Sequence, residues 1–166
     1  SVISTRSLAR TIPLRTLQTT IVAIVESTKL IAAIIKLSLK KIPNTTLIVF
    51  DGTSEIENVK AFSAAAVAAG NTVYCFVEFE IGMQRCGVNT KEEVLTLAKA
   101  IIAAETLEFA GIQAYAGHIS HIEDQKEREA MTADNYQKLR ELLGCLQENG
   151  VEVKTVSGGS TGTAEI

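Results

Sequence analysis

The 166 residues carry 46% apolar and 21% charged side chains and a formal charge of −3. That is enough apolar chain for one globular domain with a substantial core, and it excludes a disordered or collagen-like polymer. An acidic balance without a lysine or arginine block, and five Phe, three Tyr and no Trp, argue against nucleic acid as a partner, because neither phosphate neutralisation nor base stacking has its residues.

Residues 1–28 read as an irregular or targeting-like arm. Arg6, Arg10 and Arg15 lie among Ser and Thr with no acidic residue before Glu26, and Pro13 interrupts any long helix. The arm leaves two localisations open, organellar if it is a transit peptide and cytoplasmic if it is not. The apolar stretch from Ile21 to Leu39 holds Glu26, Lys29 and Lys36, each costly at the centre of a bilayer. It is expected as a packed amphipathic helix, with no membrane partner. Cys75, Cys86 and Cys145 are an odd number at spacings of neither a zinc site nor a disulfide framework, which fits an intracellular chain.

Residues 29–166 are expected to form the folded domain. Apolar runs of strand length, Thr46 to Phe50, Val73 to Ile81, Leu107 to Tyr115 and Val151 to Val156, alternate with longer segments of helical period. Ser54 with Glu57 and Thr90 with Glu93 have capping-box spacing, and Gly70 and Gly150 stand where helices should stop. In the last helix Leu139, Leu142, Leu143 and Leu146 form the stripe to be buried, while Glu127, Arg128, Lys138 and Glu141 can face water. Such β-α units belong either to a doubly wound sheet or to part of a barrel. Side chains alternate along a strand, so Glu78 shares a face with Glu80, and Gly111 with Gln113 and Tyr115. Polar groups thus collect at the carboxyl ends of strands, where both architectures keep their sites.

Three segments can carry chemistry. Ser157-Gly158-Gly159-Ser160-Thr161-Gly162-Thr163 follows the last strand, and its amides and hydroxyls suit a phosphate; the alternative is a flexible glycine-serine tail. In Glu78-Phe79-Glu80-Ile81-Gly82-Met83-Gln84-Arg85-Cys86-Gly87-Val88, Arg85 can set a permanent positive charge against a ring nitrogen or an anion, or else form a surface salt bridge. Arg85 beside Cys86 can lower the thiol pKa, but no base partner stands nearby in sequence for a nucleophile. In Gly111-Ile112-Gln113-Ala114-Tyr115-Ala116-Gly117-His118-Ile119-Ser120-His121, the two histidines are three apart, yet no further ligand completes a metal set, and a capping or solvated pair is the simpler reading.

Taken in order and spacing, these three segments resemble the pyridoxal-phosphate enzymes of the alanine-racemase-like barrel class, most closely the D-threonine aldolases and their D-serine dehydratase relatives. With Asp51 and the Ala-rich stretch Val59 to Ala69, the likeness covers roughly residues 30–166. It implies an α/β fold in which parallel β-α units form part of a TIM-like (β/α)8 barrel. It also implies a cofactor site in which Arg85 faces the pyridine nitrogen, Gln113 and Tyr115 line the pocket, and Gly158, Gly159, Ser160, Thr161, Gly162 and Thr163 hold the phosphate. The implied substrate is a D-3-hydroxy amino acid, cleaved to glycine and an aldehyde; the alternatives are a D-serine dehydratase-like lyase and a non-catalytic module that binds pyridoxal phosphate or phosphate.

The departures shape the expectation for this chain. The family's Schiff-base lysine lies in an Arg-Pro-His-led motif that is missing here, and the family's carboxyl-terminal domain with its divalent-metal ligands is expected to be absent as well, so no catalytic and no metal-binding residue is assigned. Gln84 stands where the family has a glycine, and Ser160 where a third consecutive glycine is common. The isolated chain is expected to be incomplete and inactive, and its open barrel edges are expected to favour a homodimer or other self-association.

Overall fold

The computed structural model describes residues 22–24, 46–50, 55–70, 72–164 and 166. Five strands, β1 (Val22–Ile24), β2 (Thr46–Phe50), β3 (Val73–Glu78), β4 (Leu107–Tyr115) and β5 (Thr155–Gly159), lie side by side in chain order and all parallel. A doubly wound sheet reverses its strand order at a switch point. An order that never reverses is that of a barrel, in which crossovers of one hand put every helix on the same side. The architecture is α/β, with parallel β-α units forming part of a TIM-like barrel.

Helices α1 (Glu55–Ala69), α2 (Lys91–Ala103) and α3 (Gln125–Glu148) cover the outer face of the sheet. Their apolar stripes, Val59, Phe62 and Ala66, then Val94, Leu97, Ala98 and Ile101, then Leu142 and Leu146, join Val73, Cys75, Val77, Leu107, Phe109, Ile112 and Ala114 in one core. Of the stripe expected on α3, Leu142 and Leu146 are fully buried and Leu139 and Leu143 half-buried, as the outer helix of a layered fold requires. The Thr90–Glu93 capping box is present in both directions. Among the described residues no helix is long and apolar enough to cross a membrane.

One irregularity decides which way β4 presents its polar residues. Cys75 pairs with Phe109 but the next residue, Phe76, pairs with Gly111, so Ala110 is an extra residue in β4. Such a bulge resets the alternation of side chains. Before it Leu107 and Phe109 pack toward the helices; after it Ile112 and Ala114 do, and Gly111, Gln113 and Tyr115 take the inner face. Gly111 has φ +149 and a Cβ there would stand 1.8 Å from the Thr155 carbonyl oxygen, so only glycine lets β5 pair at this point.

Three boundaries differ from the sequence reading. β3 stops at Glu78, because the chain then folds back so that Phe79 bridges Val88. β5 begins at Thr155 and not Val151, because Val151 completes the end of α3: its N–H bonds the Leu146 carbonyl at 2.9 Å while that of Gly150 bonds Gln147 at 3.0 Å, and the Val151 side chain is buried there. That is the Schellman pattern, with its apolar residue just past the glycine. Val22–Ile24, inside the stretch expected as an amphipathic helix and within residues 1–28, is a strand paired with β2. A run rich in Val and Ile suits a strand in a parallel sheet, where apolar residues need not alternate with polar ones. Asp51, Ser54 and Lys29 lie outside the described residues.

Candidate active site

The carboxyl ends of β3, β4 and β5 bring the three sequence segments together. Register places Glu78 beside Gln113 and Gln113 beside Ser157, then Tyr115 beside Gly159. The loop after β3 closes on itself through Val88 N–H to the Glu78 carbonyl and Glu80 N–H to the Val88 carbonyl, both 2.9 Å. Gly82 donates its N–H to the Glu80 carboxylate. Gln84 adopts φ +52, the left-handed region that favours glycine, at the position where the resembled family carries one.

Within this loop Arg85 Nη2 lies 3.4 Å from Glu78 Oε1, Arg85 Nε donates to Cys86 Sγ at 3.2 Å, and the Cys86 thiol donates to the same Glu78 oxygen at 3.3 Å. The Arg85 guanidinium also stands 5.5 Å from the centre of the Tyr115 ring, within reach of a cation–π attraction. Glu78 is buried and Arg85 half-exposed, so the carboxylate fixes the cation from inside the barrel. Of the two sequence readings of Arg85, the salt bridge is the one these contacts show; the residue lies in the loop that follows the carboxyl end of β3. Contact with Cys86 and Glu78 raises the Arg85 pKa further. The Cys86 pKa is also raised, because burial and the neighbouring Glu78 together outweigh the hydrogen bond from Arg85. Arg85 thus pulls the thiol pKa down as the sequence suggests, but burial and Glu78 outweigh it and the net shift is upward, against an activated thiolate.

Tyr115 lies between Arg85 and the turn after β5, and its ring covers Gly117, where a Cβ would stand 2.5 Å from the ring atoms. The turn is built by close approach. A Cβ on Gly158 would stand 2.4 Å from the Ala114 carbonyl oxygen, and one on Gly162 2.6 Å from Ser120 Cα. Its hydroxyls are partly spent on itself: Thr163 Oγ1 accepts the Ser160 N–H at 2.8 Å and donates to the Ser160 carbonyl at 3.0 Å. Ser120 Oγ reaches Ser160 Oγ at 2.9 Å and accepts the Gly162 N–H at 3.2 Å. Thr161 is exposed at the head of the short 3-10 turn Thr161–Thr163. The segment is therefore a latched turn and not a flexible tail. Ser120, forty residues from Ser160 in sequence, is the latch partner that spacing does not reveal.

His118 packs its ring against Gly82, where a Cβ would stand 2.7 Å from Nε2, and donates its backbone N–H to Met83 Sδ at 3.1 Å. The histidine thus ties the β4 loop to the β3 loop. Among the described residues no group of three His, Cys, Asp or Glu side chains can hold a metal ion.

The parallel barrel sector thus sets a cation, an aromatic ring and a glycine turn across neighbouring strand ends, the end at which α/β barrels keep their sites. Residues 51–166 match the alanine racemase N-terminal domain, and the chain belongs to that family. It is 38% identical over 125 residues to a 3-hydroxy-D-aspartate aldolase of Paracoccus denitrificans (strain Pd 1222), a match covering 75% of this chain and 32% of that one. It is 34% identical over 109 residues to a D-threonine aldolase of an Arthrobacter species, covering 66% and 29%. The crystal structure of D-threonine aldolase from Filomicrobium marinum superposes with a TM-score of 0.72 at 30% identity, covering 84% of this chain and 37% of that one. The chain thus spans about a third of the length of the relatives it matches.

Proposed function

We propose that the chain supplies the cofactor-holding strand ends of a pyridoxal-phosphate lyase of the D-threonine-aldolase type, whose substrates are D-3-hydroxy amino acids. The observation that carries this reading is the line from Arg85 across Tyr115 to the Gly158–Thr163 turn, with Tyr115 within 5.5 Å of the guanidinium and in register with Gly159. A flat heteroaromatic phosphate fits that line: cation at one end, ring neighbour in the middle, glycine turn at the other. Gly158 and Gly162 let the turn pack directly on Ala114 and Ser120, which fixes the backbone whose amides would face a phosphate. The likeness to two proteins named as aldolases of D-threonine and 3-hydroxy-D-aspartate supports the reaction class.

When bound, the pyridoxal ring would supply an electron sink for cleavage between the α and β carbons of the substrate. Arg85 holds a permanent cation at the ring-nitrogen end and cannot take a proton from it or give one up near neutrality. Tyr115 and Gln113 bound the ring, Thr161 offers its hydroxyl to the phosphate, and Thr163 keeps the turn in shape from behind.

The test is borohydride reduction of the purified chain with pyridoxal phosphate, then mass mapping of the labelled lysine with and without D-threonine. A single saturable adduct that D-threonine prevents is expected if this chain itself presents an amine to the cofactor; scattered or absent labelling overturns catalysis by the isolated chain and leaves ligand binding. Thr161→Ala is expected to weaken pyridoxal phosphate binding, and unchanged affinity would remove the turn from the site.

A further inference from the structure

We propose that Cys86, acting with Glu78, is a positioning residue: its thiol bridges the buried carboxylate and the guanidinium and so fixes the direction in which Arg85 presents its charge beside Tyr115. The inference rests on the reading of Arg85 as a cofactor contact, while its geometry is observed directly in the loop after β3. A single ion pair leaves a guanidinium free to pivot. Here the second contact is at Nε, so Nη2 on Glu78 at 3.4 Å and Nε on Sγ at 3.2 Å together define the plane of the group. The thiol closes the triangle by donating to the same Glu78 oxygen at 3.3 Å.

The two ends of the triangle differ in freedom. The Glu78 side chain is 4% exposed and that of Arg85 46%, so position is set by the carboxylate and transmitted outward. A neutral thiol suits the middle place because it accepts from Arg85 and donates to Glu78 at once, whereas a thiolate would lose the donor and face a carboxylate. Burial and Glu78 keep Cys86 protonated. The fold-back that brings Cys86 over Glu78 depends on Gly87, with φ +104, where a Cβ would stand 3.0 Å from both the Glu78 carbonyl oxygen and the Glu80 nitrogen. Nothing in the packing of the outer core needs this sulfur, since Cys86 is absent from that cluster.

Two experiments on the full chain separate the inference from the reading beneath it. In the first, the pH–rate profile of iodoacetamide alkylation at Cys86 is resolved from Cys75 and Cys145 by peptide mapping. Glu78→Gln should move the Cys86 profile to lower pH and Arg85→Ala to higher pH. If neither substitution shifts it, the triangle does not exist in solution and the inference falls. In the second, binding of pyridoxine 5′-phosphate, which has no aldehyde to label lysines, is titrated against Cys86→Ser, Cys86→Ala and Arg85→Ala. Arg85→Ala should weaken binding roughly tenfold, as loss of a charge-assisted contact does; Cys86→Ala should weaken it severalfold, and Cys86→Ser should restore it. Arg85→Ala weak with Cys86→Ala unchanged overturns positioning by the thiol and leaves the role of Arg85 intact. Arg85→Ala unchanged overturns Arg85 as a cofactor contact, and with it the use of the triangle. Should Cys86→Ala not fold, the alkylation profiles and Cys86→Ser still decide: serine binding as weakly as Arg85→Ala would refute the bridge.

Discussion

In the loop after β3 the contacts are ionic and sulfur-centred around one buried carboxylate, whereas the turn after β5 is held by hydroxyl-to-backbone bonds and by glycines that admit no side chain. The first arrangement can be retuned by oxidation or alkylation, since its central member is a free thiol. The second has no titratable member and should behave as rigid scaffolding. Two walls of one candidate site therefore reach order by different physics, and substitutions should tell them apart.

The largest effect is expected at their shared neighbour. Gly111→Ala places a Cβ against the Thr155 carbonyl at a backbone angle L side chains avoid, and should cost about 3 kcal/mol or prevent folding. Urea unfolding measures this, and a loss below about 1 kcal/mol would mean the bulge relaxes easily. Next, Thr163→Ala removes both latching bonds of the buried hydroxyl and should cost about 1–2 kcal/mol, with no change in the pH dependence of stability. If its cost varies with pH, the scaffold description of this wall is wrong. Thr90→Ala, just past the loop after β3 and outside its Glu78–Arg85–Cys86 contacts, should cost about 1 kcal/mol as a lost cap. The Thr90 hydroxyl and backbone hold the Glu93 carboxyl below its ordinary range, so this contribution is present above the unfolded carboxylate pKa and fades as pH falls through the depressed folded value. Thr90→Ala should accordingly flatten the acid limb of the stability curve. Smallest is Tyr115→Leu, which forfeits a partly exposed cation–π contact of about 0.5 kcal/mol but should still weaken ligand binding; equal binding would take Tyr115 out of the pocket.

How much the sequence reveals differs between these walls for the same reason. Thr46–Phe50 and Leu107–Tyr115 are read to the residue, since their apolar runs and flanking turns are local. The Thr90 cap is equally legible, being confined to the four residues from Thr90 to Glu93. Glu78 is visible as a carboxylate at a strand end, but its role depends on the fold-back of Phe79 onto Val88, which no periodicity announces. Ser120 is hidden further, because its partner Ser160 is brought to it only by the pairing of β4 with β5. The glycine turn is recognisable by composition, yet the inward use of Thr163 is a matter of three-dimensional closure. Val151 misleads because a residue sealing a helix end is as apolar as one opening a strand.

The extra residue at Ala110 gives β4 one point at which its length can change without cost to its faces. Were Ala110 deleted, Phe109 opposite Cys75 would be followed directly by Gly111 opposite Phe76, an unbroken alternation that keeps Ile112 and Ala114 toward the helices and Gln113 and Tyr115 on the inner face. One residue inserted after Gly111 would instead turn the rest of the strand by half a repeat, driving Gln113 and Tyr115 into the helix layer with no chemical group lost. The genetic frame of the site-facing half of β4 is therefore set downstream of the bulge and not by it.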